Sequence, residues 1–175
     1  MPNGRARLER WITFAADYLE PDDAKKLTEL AAALPNPLTM VHGDYHTNNI
    51  MCQNGETLLI DMDTLCYGHP IFELANVFVS YVAFAVIDPK IMEDFFGFDP
   101  ETGKKIWQIF LPAYFGTEDE DVLSAAEMKI AVLGYARVLR HICRRDPHSE
   151  QAMKAKSICI EKMHEYINKI DSFEF

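Results

Sequence analysis

The amino-acid sequence predicts a mostly helical α+β domain with one small β-hairpin at its centre. Apolar residues recur at helical spacing along most of the chain. The exception is the stretch from 49 to 61, where two short strand-like runs flank Asn54-Gly55. The 175 residues are enough for a single hydrophobic core, so residues 1–175 are predicted to form one domain.

Two helices are predicted before the first strand. Apolar residues follow the i, i+3, i+4, i+7 pattern from Leu8 to Leu19 and again from Ala24 to Leu34. The acidic stretch EPDD at 20–23 separates the two helices. Prolines in LPNPL end the second helix, because a residue that precedes proline disfavours helical geometry. Residues 38–41 are then expected to form a short buried strand.

The hairpin brings polar residues to its open end. Asn54-Gly55 is a strong signal for a tight turn, so Asn49 should begin the first strand and Asp61 should end the second. The loop before Asn49 carries Asp44 to the same end. Whether Asn49 and Asp61 share a face depends on any bulge at the turn, which the sequence leaves open.

The donor atoms at this end are all oxygens. They come from the Asn49 amide, the Asp61 carboxylate and the Asp63 carboxylate two residues further on. This set suits Mg²⁺, which is usually held by few protein carboxylates together with substrate phosphates. His46 is expected to brace the loop rather than bind the metal, since imidazole is a poor ligand for a hard ion.

The apolar segment 70–87 is predicted to be a buried core helix. It is only 18 residues long, and Glu73, Asn76 and Ser80 interrupt it, so a membrane span is disfavoured. These three polar residues lie on one stripe, and that face is expected to contact polar groups. Further helices are predicted near 89–96, 101–115, 119–145 and 148–170.

The composition indicates which classes of binding partner and which cellular compartment to expect. A net charge of −10 argues against a general nucleic-acid binder, which needs basic patches. The N-terminal residues are charged and lack the apolar stretch of a signal peptide. The four cysteines are scattered without a CxxC pair, which predicts reduced thiols and neither a disulfide framework nor a zinc site. We therefore expect a cytoplasmic protein that binds neither nucleic acid nor membrane.

Three motifs occur in a specific order. HGDYHTNN (42–49) is similar to a phosphotransferase catalytic loop of the form H-G-D-x-H-x-x-N, and LLIDMD (58–63) to the metal-binding segment that follows it. YGHPIFELANVF (67–78) is similar to the next element, G-x-P-x-x-D-L-A, which opens a helix. Together they resemble the aminoglycoside phosphotransferase and choline-kinase-like family, which has a protein-kinase-like fold.

The resemblance implies a role for each residue of the hairpin end. Asp44 would be the catalytic base, His42 a structural member of the catalytic loop, and Asn49 and Asp61 the Mg²⁺ ligands. Asp63 is a candidate second carboxylate ligand. The cofactors implied are Mg²⁺ and ATP or GTP, and the partner is a small-molecule hydroxyl acceptor. Phosphoryl transfer needs such positioned charges more than covalent chemistry by the protein.

The sequence departs from the family in two places. Glu73 stands where the family usually has aspartate. Only 41 residues precede His42, they are predicted to be two helices, and they contain neither a glycine-rich loop nor a strand lysine for the phosphates. The resemblance therefore implies only the C-terminal, catalytic and acceptor-binding lobe, with the N-terminal nucleotide lobe absent from this chain.

Three functions fit these observations. The first is an ATP-dependent phosphotransferase acting on a hydroxyl of an aminoglycoside, choline, sugar or amino-acid type of molecule, with the isolated chain inactive. The second is a catalytically silent, truncated remnant that serves as a binding module. The third is a two-metal phosphoesterase built from the two histidines and three aspartates of 42–63, which is disfavoured because no further ligand cluster appears. A truncated lobe is also expected to self-associate through the apolar surface left uncovered.

Overall fold

The computed structural model describes residues 3–145 and 148–175, most of which are helical. The strands form two separate antiparallel pairs, so the predicted α+β class with a majority of helix is confirmed. The helices are α1 (Gly4–Ala16), α2 (Pro21–Ala33), α3 (Ile71–Phe78), α4 (Phe84–Ile87), α5 (Pro89–Ile91), α6 (Pro100–Phe115), α7 (Glu120–Arg145) and α8 (Glu150–Ile167). The strands are β1 (Met40–Val41), β2 (Ile50–Gln53), β3 (Glu56–Leu59) and β4 (Cys66–Tyr67).

The core forms where α1, α3 and α8 pack against the long helix α7. Trp11 of α1 stacks on Phe72 of α3 with ring centroids 4.9 Å apart. The Phe78 ring of the same helix meets Gly134 of α7, where an added Cβ would lie 2.6 Å from Phe78 Cδ1. Only glycine permits this approach, so α3 packs closely against α7.

The predicted hairpin between β2 and β3 is confirmed. Asn54 and Gly55 both have positive φ angles, 53° and 82°, as a two-residue type I′ turn requires. The strands pair in regular register from Ile50 with Leu59 to the turn, without a bulge. The sequence left open whether the hairpin contains a bulge, and the two strands contain none.

The prediction of a buried strand over 38–41 is wrong in part. The strand covers only Met40–Val41, which pairs with β4, and Leu38 and Met40 are 85% and 64% exposed. Val41 is buried. A sheet of two two-residue strands covers only one face of each strand, so apolar residues on the other face remain in solvent.

The segment 70–87 is confirmed as a buried core helix, although it is not a regular one. α3 and α4 are joined by a π-helical turn, Val79–Ala83, and a second such turn, Met92–Phe96, follows α5. Extra residues in a helical turn are frequent near functional sites. Among the described residues, no helix combines the length and the apolarity that a membrane span requires.

Candidate active site

The loop that links β1 to β2 is anchored by α3. Gly43 adopts a left-handed conformation with φ 82°. Its N–H donates to Glu73 Oε2 at 2.7 Å, and its carbonyl accepts from Asn76 Nδ2 at 2.9 Å. The polar stripe predicted on this helix therefore does contact polar groups. Glu73 holds the loop despite being one methylene longer than the aspartate usual in the resembling family.

Burial changes the ionisation of Glu73. It raises the pKa of this carboxyl above its ordinary value, and the hydrogen bond from Gly43 opposes that effect. The other oxygen, Oε1, is buried without a hydrogen-bond partner in the described chain. Glu73 thus contributes one strong acceptor to the loop.

His42 braces the loop through its ring nitrogens. With the ring proton assigned to Nε2, the imidazole donates to Ile60 O at 2.9 Å, and Nδ1 accepts from Asp44 N at 3.3 Å. The backbone carbonyl of His42 also accepts from Thr64 Oγ1 at 2.7 Å. These bonds tie the loop to the segment after β3, which agrees with a structural role for His42.

The Asp44 carboxylate lies between an imidazole and a guanidinium group. Its Oδ2 is 3.4 Å from His46 Nε2, and its Oδ1 is 3.6 Å from Arg137 Nη2 on α7. The hydrogen bond with His46 lowers the pKa of the Asp44 carboxyl, burial opposes this, and the charge of Arg137 adds to the lowering. The Asp44 side chain remains 36% exposed. It is therefore an ionised carboxylate accessible to a ligand at neutral pH.

Asn49 is placed beside the same loop. It is buried, and its Nδ2 donates to the backbone oxygen of Asp44 at 2.9 Å. That bond fixes the amide plane and leaves Oδ1 without a hydrogen-bond partner among the described residues. An oriented, unused amide oxygen is a suitable ligand for a hard cation.

Asp61 directly follows Ile60, whose backbone forms hydrogen bonds with two residues of the site. The N–H of Ile60 donates to Asn49 O at 2.9 Å, while its carbonyl receives the His42 ring. Asp61 itself has φ 59° and ψ 62°, a left-handed conformation that a non-glycine residue adopts at some cost. Aspartate enters this region more readily than most residues, and here it directs the chain from β3 into residues 62–64.

Not every predicted Mg²⁺ ligand is in contact with the rest of the site. Asp61 and Asp63 are exposed, and within the described residues neither side chain forms a hydrogen bond or ion pair. No group of three or more His, Cys, Asp or Glu side chains in residues 3–145 and 148–175 is placed to hold a metal ion. Within these residues, the structure therefore does not bring the predicted ligands together as a preformed metal site.

A cavity of about 150 Å³ opens beside Asp44. Its wall is formed by polar and aromatic side chains, including Asp44, His46, Arg137, His141, Phe95 and Phe96. Arg137 and His141 were not among the residues predicted for the site, because they lie on α7, far from the motifs along the chain. The available signal was a charged residue inside the apolar run LGYARVL (133–139).

One of three comparisons with known proteins found a match. The sequence model of a family described as APH, the phosphotransferase enzyme family, matches residues 3–101. These residues are more than half of the chain and include the loop, the hairpin and α3. No curated protein and no solved structure matched.

Proposed function

The chain belongs to the phosphotransferase enzyme family, and from this premise we propose that it transfers the terminal phosphoryl group of ATP or GTP to a hydroxyl of a small molecule. We further propose that residues 1–175 form the catalytic and acceptor-binding lobe of a protein-kinase-like fold. The observation that supports this proposal most directly is the position of the Asp44 carboxylate, which is ionised and partly exposed at the edge of a cavity.

Asp44 is the group that receives the acceptor. Its carboxylate accepts a hydrogen bond from the acceptor hydroxyl and turns the oxygen toward the terminal phosphorus. As the new P–O bond forms, the bond to the nucleoside diphosphate breaks and the hydroxyl proton passes to Asp44. A carboxyl with a lowered pKa is a weak base, which suits a loose transition state in which the proton leaves late.

Asn49 and Asp61 are proposed to hold Mg²⁺, with Asp63 as a further carboxylate beside them. The unused Asn49 Oδ1 and the strained, unpaired Asp61 support this assignment. When bound, the ion neutralises the charge of the phosphates. His42 and Glu73 act as positioning residues, since they hold the loop backbone and contact neither reactant in this mechanism.

A second candidate function rests on a specific observation. None of the four strands of the described residues carries a lysine, which a kinase-like site uses to pair the nucleotide phosphates. The chain on its own would then be inactive and would act as a binding module. The phosphotransferase function instead requires that a lysine for the phosphates be supplied from outside the described residues.

The test is acceptor-dependent release of nucleoside diphosphate by the complete gene product. Mg–ATP is supplied with kanamycin, choline, ribose, homoserine and 3-hydroxypropanoate in separate assays. We expect at least one acceptor to stimulate release, and Asp44→Asn to lower that rate by about 10²–10⁴-fold while the melting temperature changes little. Asp17→Asn, which removes an exposed carboxylate at the end of α1, is the matched control and should keep the rate.

An unchanged rate in Asp44→Asn would remove Asp44 from the chemistry. If the complete gene product shows no release with any acceptor yet binds one of them, the binding-module function is favoured instead.

A further inference from the structure

The wall of the cavity beside Asp44 includes an arginine, Arg137, with unused hydrogen-bond donors. The Arg137 side chain is 28% exposed, and its only polar partner among the described residues is Asp44, at the long distance of 3.6 Å. Its guanidinium also lies over the Trp11 ring, 5.6 Å from the centroid. A guanidinium has five N–H donors, so most of them remain available to a ligand.

The cavity wall carries one arginine, Arg137, whose charge interacts with the Asp44 carboxylate on the wall and with the nearby Glu73 carboxyl. Asp44 is the single carboxylate on the described part of its wall. Burial lowers the pKa of the His141 imidazole, and the charges of Arg145 and Arg137 lower it further, so His141 is neutral at pH 7. A ligand with several ammonium groups would meet one carboxylate that is already compensated by a guanidinium.

Most of the remaining wall is apolar and the space is small. Phe95 and Phe96 both stand edge-on to His46, with ring centroids 5.6 Å away. The other lining residues are three apolar ones and one serine: Val79, Phe84, Val138 and Ser80. The volume of about 150 Å³ is below the roughly 300–1,000 Å³ of pockets for drug-sized ligands. The cavity therefore fits a molecule of a few carbons.

We propose that the acceptor is a small hydroxy acid whose carboxylate binds Arg137 while its hydroxyl binds Asp44. This inference rests on the proposed function, because it assigns the hydroxyl to the carboxylate that receives it there. Arg137 Nη2 and Asp44 Oδ1 are 3.6 Å apart, so one small ligand can contact both side chains. Arginine recognises carboxylates through paired N–H donors, which gives the acceptor a fixed orientation.

The test measures binding without nucleotide, so that it is independent of phosphoryl transfer. The chain is titrated calorimetrically with three probes of equal carbon length: 3-hydroxypropanoate, 3-hydroxypropanamide and 3-amino-1-propanol. We expect the anion to bind at least about tenfold more tightly than the other two probes. Arg137→Gln should weaken anion binding by about tenfold and leave binding of the amide within about twofold.

Two further variants make the test independent of misfolding. Arg137→Lys keeps the positive charge and should keep the preference for the anion, with lower affinity because the paired donors are lost. Arg140→Gln removes a positive charge from the same helix outside the cavity wall and should behave as the wild type.

Preference for the cationic probe, equal binding of all three, or no binding of any would overturn the proposal. Asp44→Asn separates the two hypotheses. It should abolish transfer if the proposed function holds, yet keep the preference for 3-hydroxypropanoate over 3-hydroxypropanamide, because the Arg137 guanidinium that binds the carboxylate is retained. Loss of that preference in Asp44→Asn would contradict the role of Arg137 as the carboxylate site.

Discussion

Gly43 is the residue on which the geometry of the loop depends most. Its φ of 82° favours glycine, and an added Cβ would lie 2.8 Å from Thr64 O and 3.2 Å from Arg7 Nη1. The backbone of Thr64 is itself held by Arg7, whose Nη1 donates to Thr64 O at 2.9 Å. The contact with Thr64 O cannot be relieved without moving the segment that follows Asp61, whereas the Arg7 guanidinium is the end of a flexible side chain.

The variant Gly43→Ala should therefore lose more stability than backbone strain alone explains. Gly55→Ala is the matched control, because Gly55 has the same φ of 82° and open space around its Cα. We expect Gly55→Ala to lower the free energy of unfolding by about 1–2 kcal/mol and Gly43→Ala by a further ~1–3 kcal/mol. Urea unfolding measures both values. Equal losses in the two variants would show that the contact with Thr64 is not limiting.

At the scale of elements, α3 acts as the support of the catalytic loop. Its π-helical continuation adds a second anchor, since the Tyr81 hydroxyl accepts from Thr47 N at 2.8 Å. Ser80 donates to Asn76 O within the same helix. The loop is thus held by side chains that begin in the core, which explains how an irregular segment can keep a fixed geometry.

Asn76→Ala should uncouple the loop from this helix. Asn76 is buried, so its removal leaves the Gly43 carbonyl without its partner, at a cost of about 1–3 kcal/mol in the free energy of unfolding. Ser80→Ala removes only a bond within the helix and should cost less, about 1 kcal/mol. Chemical denaturation compares the two variants. A smaller loss in Asn76→Ala than in Ser80→Ala would contradict the anchoring role.

The contact between α2 and α8 is predicted to depend on pH. His164 Nδ1 and Asn168 Nδ2 both bind the buried Asp23 carboxylate. The hydrogen bond to Asp23 raises the pKa of His164, and the charges of Asp23 and Glu20 add to this effect. A raised pKa in the folded state means that the stabilisation is complete below about pH 6.5, the ordinary value, and is lost as pH rises through the folded pKa.

The melting temperature of His164→Gln measures that dependence. We expect the wild type to melt above His164→Gln at pH 6 and the difference to shrink steadily toward pH 9. Asp23→Asn should show the same pH trend, because it removes the other partner. A difference that stays constant from pH 6 to 9 would mean that His164 is not ionised in this contact.

At the scale of the whole molecule, the surface around the hairpin is unusually apolar. Met51 and Leu58 are cross-strand partners and are 44% and 38% exposed. Other large apolar side chains are exposed nearby in sequence: Leu38, Met40, Ile60 and Met62. Exposed apolar side chains concentrated in one part of a chain are typical of an interaction surface.

We therefore predict that the chain self-associates through the hairpin. Sedimentation velocity should show a sedimentation coefficient that rises with protein concentration and with salt, since the net charge of −10 repels copies at low ionic strength. The double variant Met51→Glu, Leu58→Glu should remain monomeric. Ile109→Glu, at a 73% exposed position on α6, is the control and should associate like the wild type. A monomer at every concentration would contradict the prediction.

Local patterns in the sequence account for part of this molecule. The turn at Asn54-Gly55 and the helical periodicities were predictable because neighbouring residues determine them. The π-helical turn Val79–Ala83 was not predictable in this way. Its Tyr81 binds Thr47, which is distant in the chain. Arg137 was missed for the same reason: its contact with Asp44 forms only when α7 packs beside the loop, and no local pattern encodes that packing.

The most direct test of the central claim follows the phosphorus atom itself. The complete gene product is incubated with Mg–ATP and an acceptor identified in the release assay, and ³¹P NMR records the products. We predict a phosphate monoester signal that grows in step with ADP for the wild type and is absent for Asp44→Asn. Formation of the monoester by Asp44→Asn at the wild-type rate, or release of inorganic phosphate alone by the wild type, would contradict the assignment of this loop as a phosphotransferase centre.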